Sequence, residues 1–236
     1  MAGTAALLGG STGEGGAPFV QGGAPVADGG DGGASTSPGG AGGMPSCTEP
    51  QERVVLVGVD TWIEAAKPSN GHGNDQVLSV VGGGQERRAL LEVTLPAVLA
   101  GTVLLNATLT LHLQANADVG LAERRLQVRL LSQAVTEART NWTNWSNGSS
   151  RKWLQPGGDF GSVLDSVRIS AGTAEGTVAF NVTATVRETM STAEVALPFI
   201  VMENGAPPPA PAELAFTSSE GDASVVPTLL LQYCEP

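Results

Sequence analysis

The segment VLVGVDTWIEAAKPSNGHGNDQVLSV, residues 55–80, followed by RRALLEV at residues 87–93, decides the fold. It reads as a strand, a polar loop held by Pro68, Asn70, Gly71 and Gly73, a second strand, a turn at Gly82-Gly83-Gly84, and a third strand. Short apolar runs divided by Gly, Pro and Asn are the punctuation of an all-β chain. Downstream, TVLLNATLTLHLQ (residues 102–114) places Leu105, Ala107, Leu109, Leu111 and Leu113 at period two, opposite Asn106, Thr108, Thr110, His112 and Gln114. That alternation predicts an antiparallel strand with one face buried and one polar.

The same style continues. Strands are predicted at 125–131, 163–169, 177–186, 194–202, 214–217 and 228–233, with a helical turn over 186–193, and there is no long helix and no internal repeat. Between them, residues 136–161 (TEARTNWTNWSNGSSRKWLQPGGDFG) keep no period and carry three tryptophans. A segment of that length without a period is functional or disordered, and three tryptophans argue against disorder.

Composition divides the chain in two. Half of its 32 glycines precede Cys47, together with Pro18, Pro25, Pro38 and Pro45 and no Lys or Arg. Such a segment buries too little apolar surface to offset its ordering entropy, so residues 1–46 read as a disordered Gly/Pro/Ser-rich linker and 47–236 as one β-sandwich domain. The net charge of −11 argues against nucleic acid and anionic membrane surfaces, which reward Lys and Arg. It also disfavours an anionic polysaccharide unless basic residues cluster, and Arg124, Arg125, Arg129, Arg139, Arg151 and Lys152 are the residues that would have to do so. The apolar run at Met1–Leu8 is too short for a signal peptide or a membrane span. Cys47 and Cys234 bracket the folded region, either as a disulfide between its ends or as two free thiols, and a disulfide would place the protein in an oxidising compartment, extracellular or at the cell surface.

Six short motifs resemble, in order, the DNRLRE domain (disaggregatase-related repeat), which is grouped with carbohydrate-binding modules. They are Asp60-Thr61-Trp62-Ile63 with the Pro68–Gly73 loop and Arg88–Leu91; Leu95-Pro96 leading to Gly101-Thr102-Val103 and Asn106–Leu109; Asn141-Trp142; Trp153 with Pro156–Phe160; Asn181-Val182-Thr183; and Phe216–Glu220 before Pro227-Thr228-Leu229. The resemblance spans about residues 54–233 and implies a jelly-roll sandwich that binds polysaccharide without catalysis. The chain departs from the family at Met190, where a Trp is expected, and at Thr192-Ala193-Glu194 in place of Asn-x-Gly.

Candidate chemistry is sparse. His72 and His112, the only histidines, stand in no nucleophile-turn or zinc-protease spacing, so the chain reads as a non-enzyme. Trp142, Trp145 and Trp153, beside Asn144, Arg151 and Lys152, supply the mixture of aromatic faces and polar groups that sugar recognition needs. The competing reading is that these tryptophans plug the end of the sandwich. Asp60, Asn74, Asp75 and Glu220 are loop oxygens of the kind a structural calcium ion prefers, against ordinary turn chemistry for the same residues. The expected partner is a polysaccharide or cell-surface glycan bound by a monomer. The alternatives are an adhesive scaffold that binds no sugar, and an accessory domain of a polysaccharide-degrading enzyme.

Overall fold

A computed structural model of the chain describes residue 47 and residues 49–99, 101–117, 123–148, 150–190, 193–204 and 212–235. The expected linker at 1–46 lies outside them. Among the described residues eleven strands and one short α-helix follow in order: β1 (Gln51–Leu56), β2 (Val59–Glu64), β3 (Val77–Val80), β4 (Arg87–Leu95), β5 (Val103–Asn116), β6 (Arg124–Leu131), β7 (Phe160–Ile169), β8 (Gly176–Asn181), α1 (Thr183–Thr189), β9 (Val195–Glu203), β10 (Leu214–Thr217) and β11 (Thr228–Cys234).

The strands form two antiparallel sheets. One runs β1-β11-β5-β10-β3, with β8 also paired to β5, and the other runs β2-β4-β9-β6-β7. Alternation explains the core between them. Leu109, Leu111, Phe216 and Leu231 from the first sheet meet Leu91, Val93, Phe199 and Val201 from the second, all fully or almost fully buried. Each such side chain contributes about 1.5–3 kcal/mol when removed from water.

The helix lies in the region predicted for a helical turn but starts earlier, at Thr183, where the strand was expected to run to Val186. Asn181 Oδ1 accepts the Thr183 N–H at 3.0 Å, and Thr183 Oγ1 accepts the Ala107 N–H at 2.9 Å, so the chain leaves the β8 ladder there. A second departure is in β5. Leu105 was expected on the buried face, but a register shift opposite Gln232/Tyr233 pairs Leu104 and Asn106 across β11 and turns Leu105 to solvent, 43% exposed. A bulge adds one residue to one strand and so reverses the alternation beyond it. The two cysteines form a disulfide, Cys47 to Cys234, with Cα atoms 5.7 Å apart.

The second sheet is covered on both faces. In β4 and β9 the paired Leu91 and Phe199 point into the core, while the paired Leu90 and Ile200 point the other way. A strand buried on two sides reads as a continuous apolar run, as RRALLEV and VALPFIVM do. The cover on the outer face comes from the aperiodic segment after β6, whose Val135 and Trp153 join Ile63, Leu90, Leu131, Ile200 and Met202, with Trp142, Trp145 and Phe160 packed partly against them.

Candidate functional site

Two places on the domain concentrate chemistry, and hydrogen bonds join them. The first begins at β2, whose pairing with β4 puts Asp60, Trp62 and Glu64 on the same face as Leu91 and Ala89, toward the opposite sheet. β2 is an edge strand, so polar side chains on that face can be met by loops. Asp60 is 1% exposed, and its Oδ2 accepts the Ser219 N–H at 2.8 Å from the connection between β10 and β11. Its Oδ1 is buried without a hydrogen-bond partner among the described residues. Half-buried Glu137 and exposed Glu220 each bring a carboxylate oxygen so that the three ligand atoms lie within 4.8 Å of one another.

Three carboxylates at this spacing resist simultaneous ionisation. Burial first, and then the charge of Glu220, raises the Asp60 carboxyl from 3.8 to about 7, against the lowering effect of the Ser219 hydrogen bond. Glu137 is also raised, by burial and by Glu220. The triad thus gathers three hard oxygen donors at one place.

Of the four residues expected to hold calcium, the structure joins only Asp60 and Glu220. Asp75 accepts Trp62 Nε1–H at 3.0 Å and faces His72 Nδ1 at 3.0 Å, while Asn74 is exposed. His72 stacks on Trp62 with ring centroids 3.5 Å apart, its Nε2 lies 3.3 Å from buried Glu64, and Arg87 lies 5.1 Å from the Trp62 ring centre. The loop around His72 therefore closes the sandwich edge around Trp62.

Glu137 was not among the expected ligands. Nothing local marks it, because it stands 77 positions from Asp60 in a segment with no period. Folding brings it there through the turn at 135–140. Glu92 Oε2 accepts the Val135 N–H at 2.8 Å, and Thr136 O accepts the N–H groups of Arg139 at 2.9 Å and Thr140 at 2.8 Å.

The second place is the outer layer. Asn141 Oδ1 accepts the N–H groups of Thr143 at 3.0 Å and Asn144 at 2.9 Å, and Asn144 pairs with Lys152 across a short bridge. Arg151 O accepts Trp145 N–H at 3.0 Å, and Thr143 O accepts Trp153 N–H at 3.1 Å. The segment is thus a miniature hairpin. It presents half-buried Trp145 under the Arg151 guanidinium, 5.3 Å from the ring centre, with exposed Lys152 beside Asn144.

Its other tryptophans are more deeply engaged. Trp153 is 5% exposed and donates Nε1–H to Asn141 O at 2.9 Å. Trp142 lies under Arg88, 4.7 Å from the ring centre, and Phe160 has Arg88 at 5.4 Å and Arg129 at 5.1 Å. Arg88 also pairs with Glu86. Of the basic residues considered from sequence, Arg129 and Arg151 join this aromatic layer, whereas Arg124 is buried in an ion pair with Glu203. Arg88 and Phe160 complete the layer and stood outside the sequence-based set.

The fold and these sites define a class, a two-sheet antiparallel β-sandwich carrying an acidic triad at one edge and a cationic aromatic layer on one face. No family model and no curated protein sequence matches the chain, so the likeness to the DNRLRE domain stands on its motifs alone. Among solved structures the chain is similar to a mutant of Xylanase10C from Cellvibrio japonicus in complex with xylopentaose, at 12% identity and a TM-score of 0.34. The match covers 74% of this chain and 27% of that one, and a likeness of this size carries no statement about binding. No helix among the described residues is long and apolar enough to cross a membrane.

Proposed function

We propose that this domain is a non-catalytic polysaccharide-binding module working outside the cell or at its surface, with the 141–153 hairpin as its contact and calcium as a structural ion at the acidic triad. The observation that supports this most is charge segregation. A chain of net charge −11 gathers Arg88, Arg129, Arg151 and Lys152 around Trp142, Trp145 and Phe160 on one outer layer. Arg88 and Arg129 spend donors on Glu86, Gly157, Gln127 and Gly161, so exposed Arg151 is the guanidinium that offers N–H groups to carboxylates and hydroxyls, with the Trp145 ring beneath it as an apolar face for a pyranose. The ligand this chemistry favours is a polysaccharide bearing carboxylated sugars. The disulfide supports an oxidising compartment.

The test is isothermal titration of the full chain with soluble oligouronates, xylo-oligosaccharides, β-gluco-oligosaccharides and chito-oligosaccharides. The expected result is binding to an oligouronate that Trp145→Ala weakens at least tenfold in a variant that still unfolds cooperatively. No heat with any of the four would overturn the binding reading and leave the adhesive scaffold.

A further inference from the structure

We infer that Asp60, Glu137 and Glu220 form a seat for one hard divalent cation, and that this ion acts as a clasp fastening the aromatic layer to the sandwich edge. This deepens the calcium part of the proposed function and needs no sugar for its test.

Two independent observations converge. The first is the donor set, three carboxylates with one oxygen each within 4.8 Å of the others. Oxygen ligands held about 2.3–2.6 Å from a calcium ion stand about 3–5 Å apart, so these atoms can share one ion after small adjustments. The set contains no thiolate, and the nearby imidazole of His72 is committed to Asp75 and Glu64, which selects calcium-like over zinc-like ions. The second is Asp60 Oδ1. Among the described residues it is buried without a partner, while its sister oxygen is already held by Ser219. A buried orphan oxygen costs about 1–3 kcal/mol, more when it is charged, and a bound cation removes that cost.

The clasp follows from where the three ligands sit in the chain. Asp60 is the second residue of β2, Glu220 belongs to the connection between β10 and β11, and Glu137 belongs to the turn that starts the outer layer. That turn is bonded directly to the hairpin. Thr140 Oγ1–H donates to Trp145 O at 2.8 Å, and the Thr136 and Ser146 hydroxyls meet at 3.3 Å. Fixing Glu137 therefore fixes the backbone that carries Trp145. Without an ion, mutual repulsion among the carboxylates works against the same turn.

The experiment uses the full chain, freed of metal with chelator and dialysed. Calcium is titrated calorimetrically, and hydrogen exchange over residues 135–153 is followed by mass spectrometry with and without calcium. Expected are one ion per chain, a raised thermal midpoint, slowed exchange over 135–153, and an affinity about tenfold or more weaker in Glu220→Gln. Glu220 is exposed, so that variant should fold, and Asp222→Asn, two residues away, removes an equal charge while binding as the wild type does. Absence of binding at millimolar calcium, or equal weakening by both variants, would overturn the seat. Binding that leaves exchange over 135–153 unchanged would overturn the clasp.

Discussion

Gly73 lies against the backbone of Glu137, where a Cβ would stand 2.2 Å from the Glu137 carbonyl oxygen and 2.6 Å from its Cγ. Backbone cannot yield as a flexible side chain does, so Gly73→Ala must part the loop from the 135–140 turn. Overpacking of this kind costs about 1–3 kcal/mol. Because the displaced residue belongs to the acidic triad, the proposed seat predicts that the variant also binds calcium more weakly. At Gly71 the nearest atoms are ordinary contacts at 3.6 Å, which makes Gly71→Ala the matched control. Urea denaturation and calcium titration of the pair check this, and equal behaviour of the two variants would contradict it.

The raised carboxyl of Asp60 makes a signed pH prediction for metal-free protein. Its pKa of about 7 in the fold exceeds the ordinary 3.8, so the folded state holds the proton more tightly and its contribution is fully present below pH 3.8. Between these values the folded state binds more protons than the unfolded one, and stability falls as pH rises through 7. Raised Glu137 adds in the same direction. In chelator, about 3 kcal/mol attributable to Asp60 should be lost between pH 5 and pH 8. Asp60→Asn should flatten the slope in urea denaturation, and a slope that persists in that variant would assign it to other groups.

Arg124 and Glu203 are joined by a buried ion pair whose side chains are 1% and 5% exposed. Glu203 Oε2 also accepts Gly82 N–H at 2.7 Å, and Arg124 donates to Ala212 O at 2.8 Å. Removing one partner strands a buried charge, so Glu203→Ala should cost about 3–5 kcal/mol. The pair Arg168–Glu123 is 66% and 52% exposed, and Glu123→Ala should cost less than about 1 kcal/mol. Chemical denaturation of the two variants measures the contrast.

Strands β5 and β8 were legible because each carries a period of two, whereas β4 and β9, buried on both faces, show only as apolar runs. Asp60-Thr61-Trp62, the Pro68–Gly73 loop and Phe216–Glu220 have a physical reason for standing together. Trp62 is enclosed by His72 and Arg87, Gly73 makes room for Glu137, and Ser219 holds Asp60. Motif spelling could show that these segments mattered, but not that they meet. Glu137 joins them only because the aperiodic segment packs on the second sheet, and contact across 77 positions has no local signature. Leu105 shows the opposite failure. Its period was clear and its facing was reversed, since a bulge is set by the partner strand and not by the alternating strand itself.

The disulfide tests how the first strand is held. β1 is an edge strand paired only to β11, and its Val54 and Leu56 are 59% and 62% exposed, so packing contributes little to keeping it in place. Cys47 anchors the chain just before β1 to Cys234 at the end of β11, closing a sequence separation of 187. In the loop-entropy model a closure of that length stabilises by about 5 kcal/mol, and the local effect should fall on β1 before the core. The double variant Cys47→Ser with Cys234→Ser should therefore lose exchange protection over residues 51–56 while 107–113 stay protected. Once β1 leaves, β11 becomes an open edge with apolar residues beside it, which invites edge-to-edge pairing. Light scattering of the double variant should then rise with protein concentration faster than for wild type. Uniform loss of protection across β1 and β5 would instead mean that the disulfide supports the whole sandwich, not its edge.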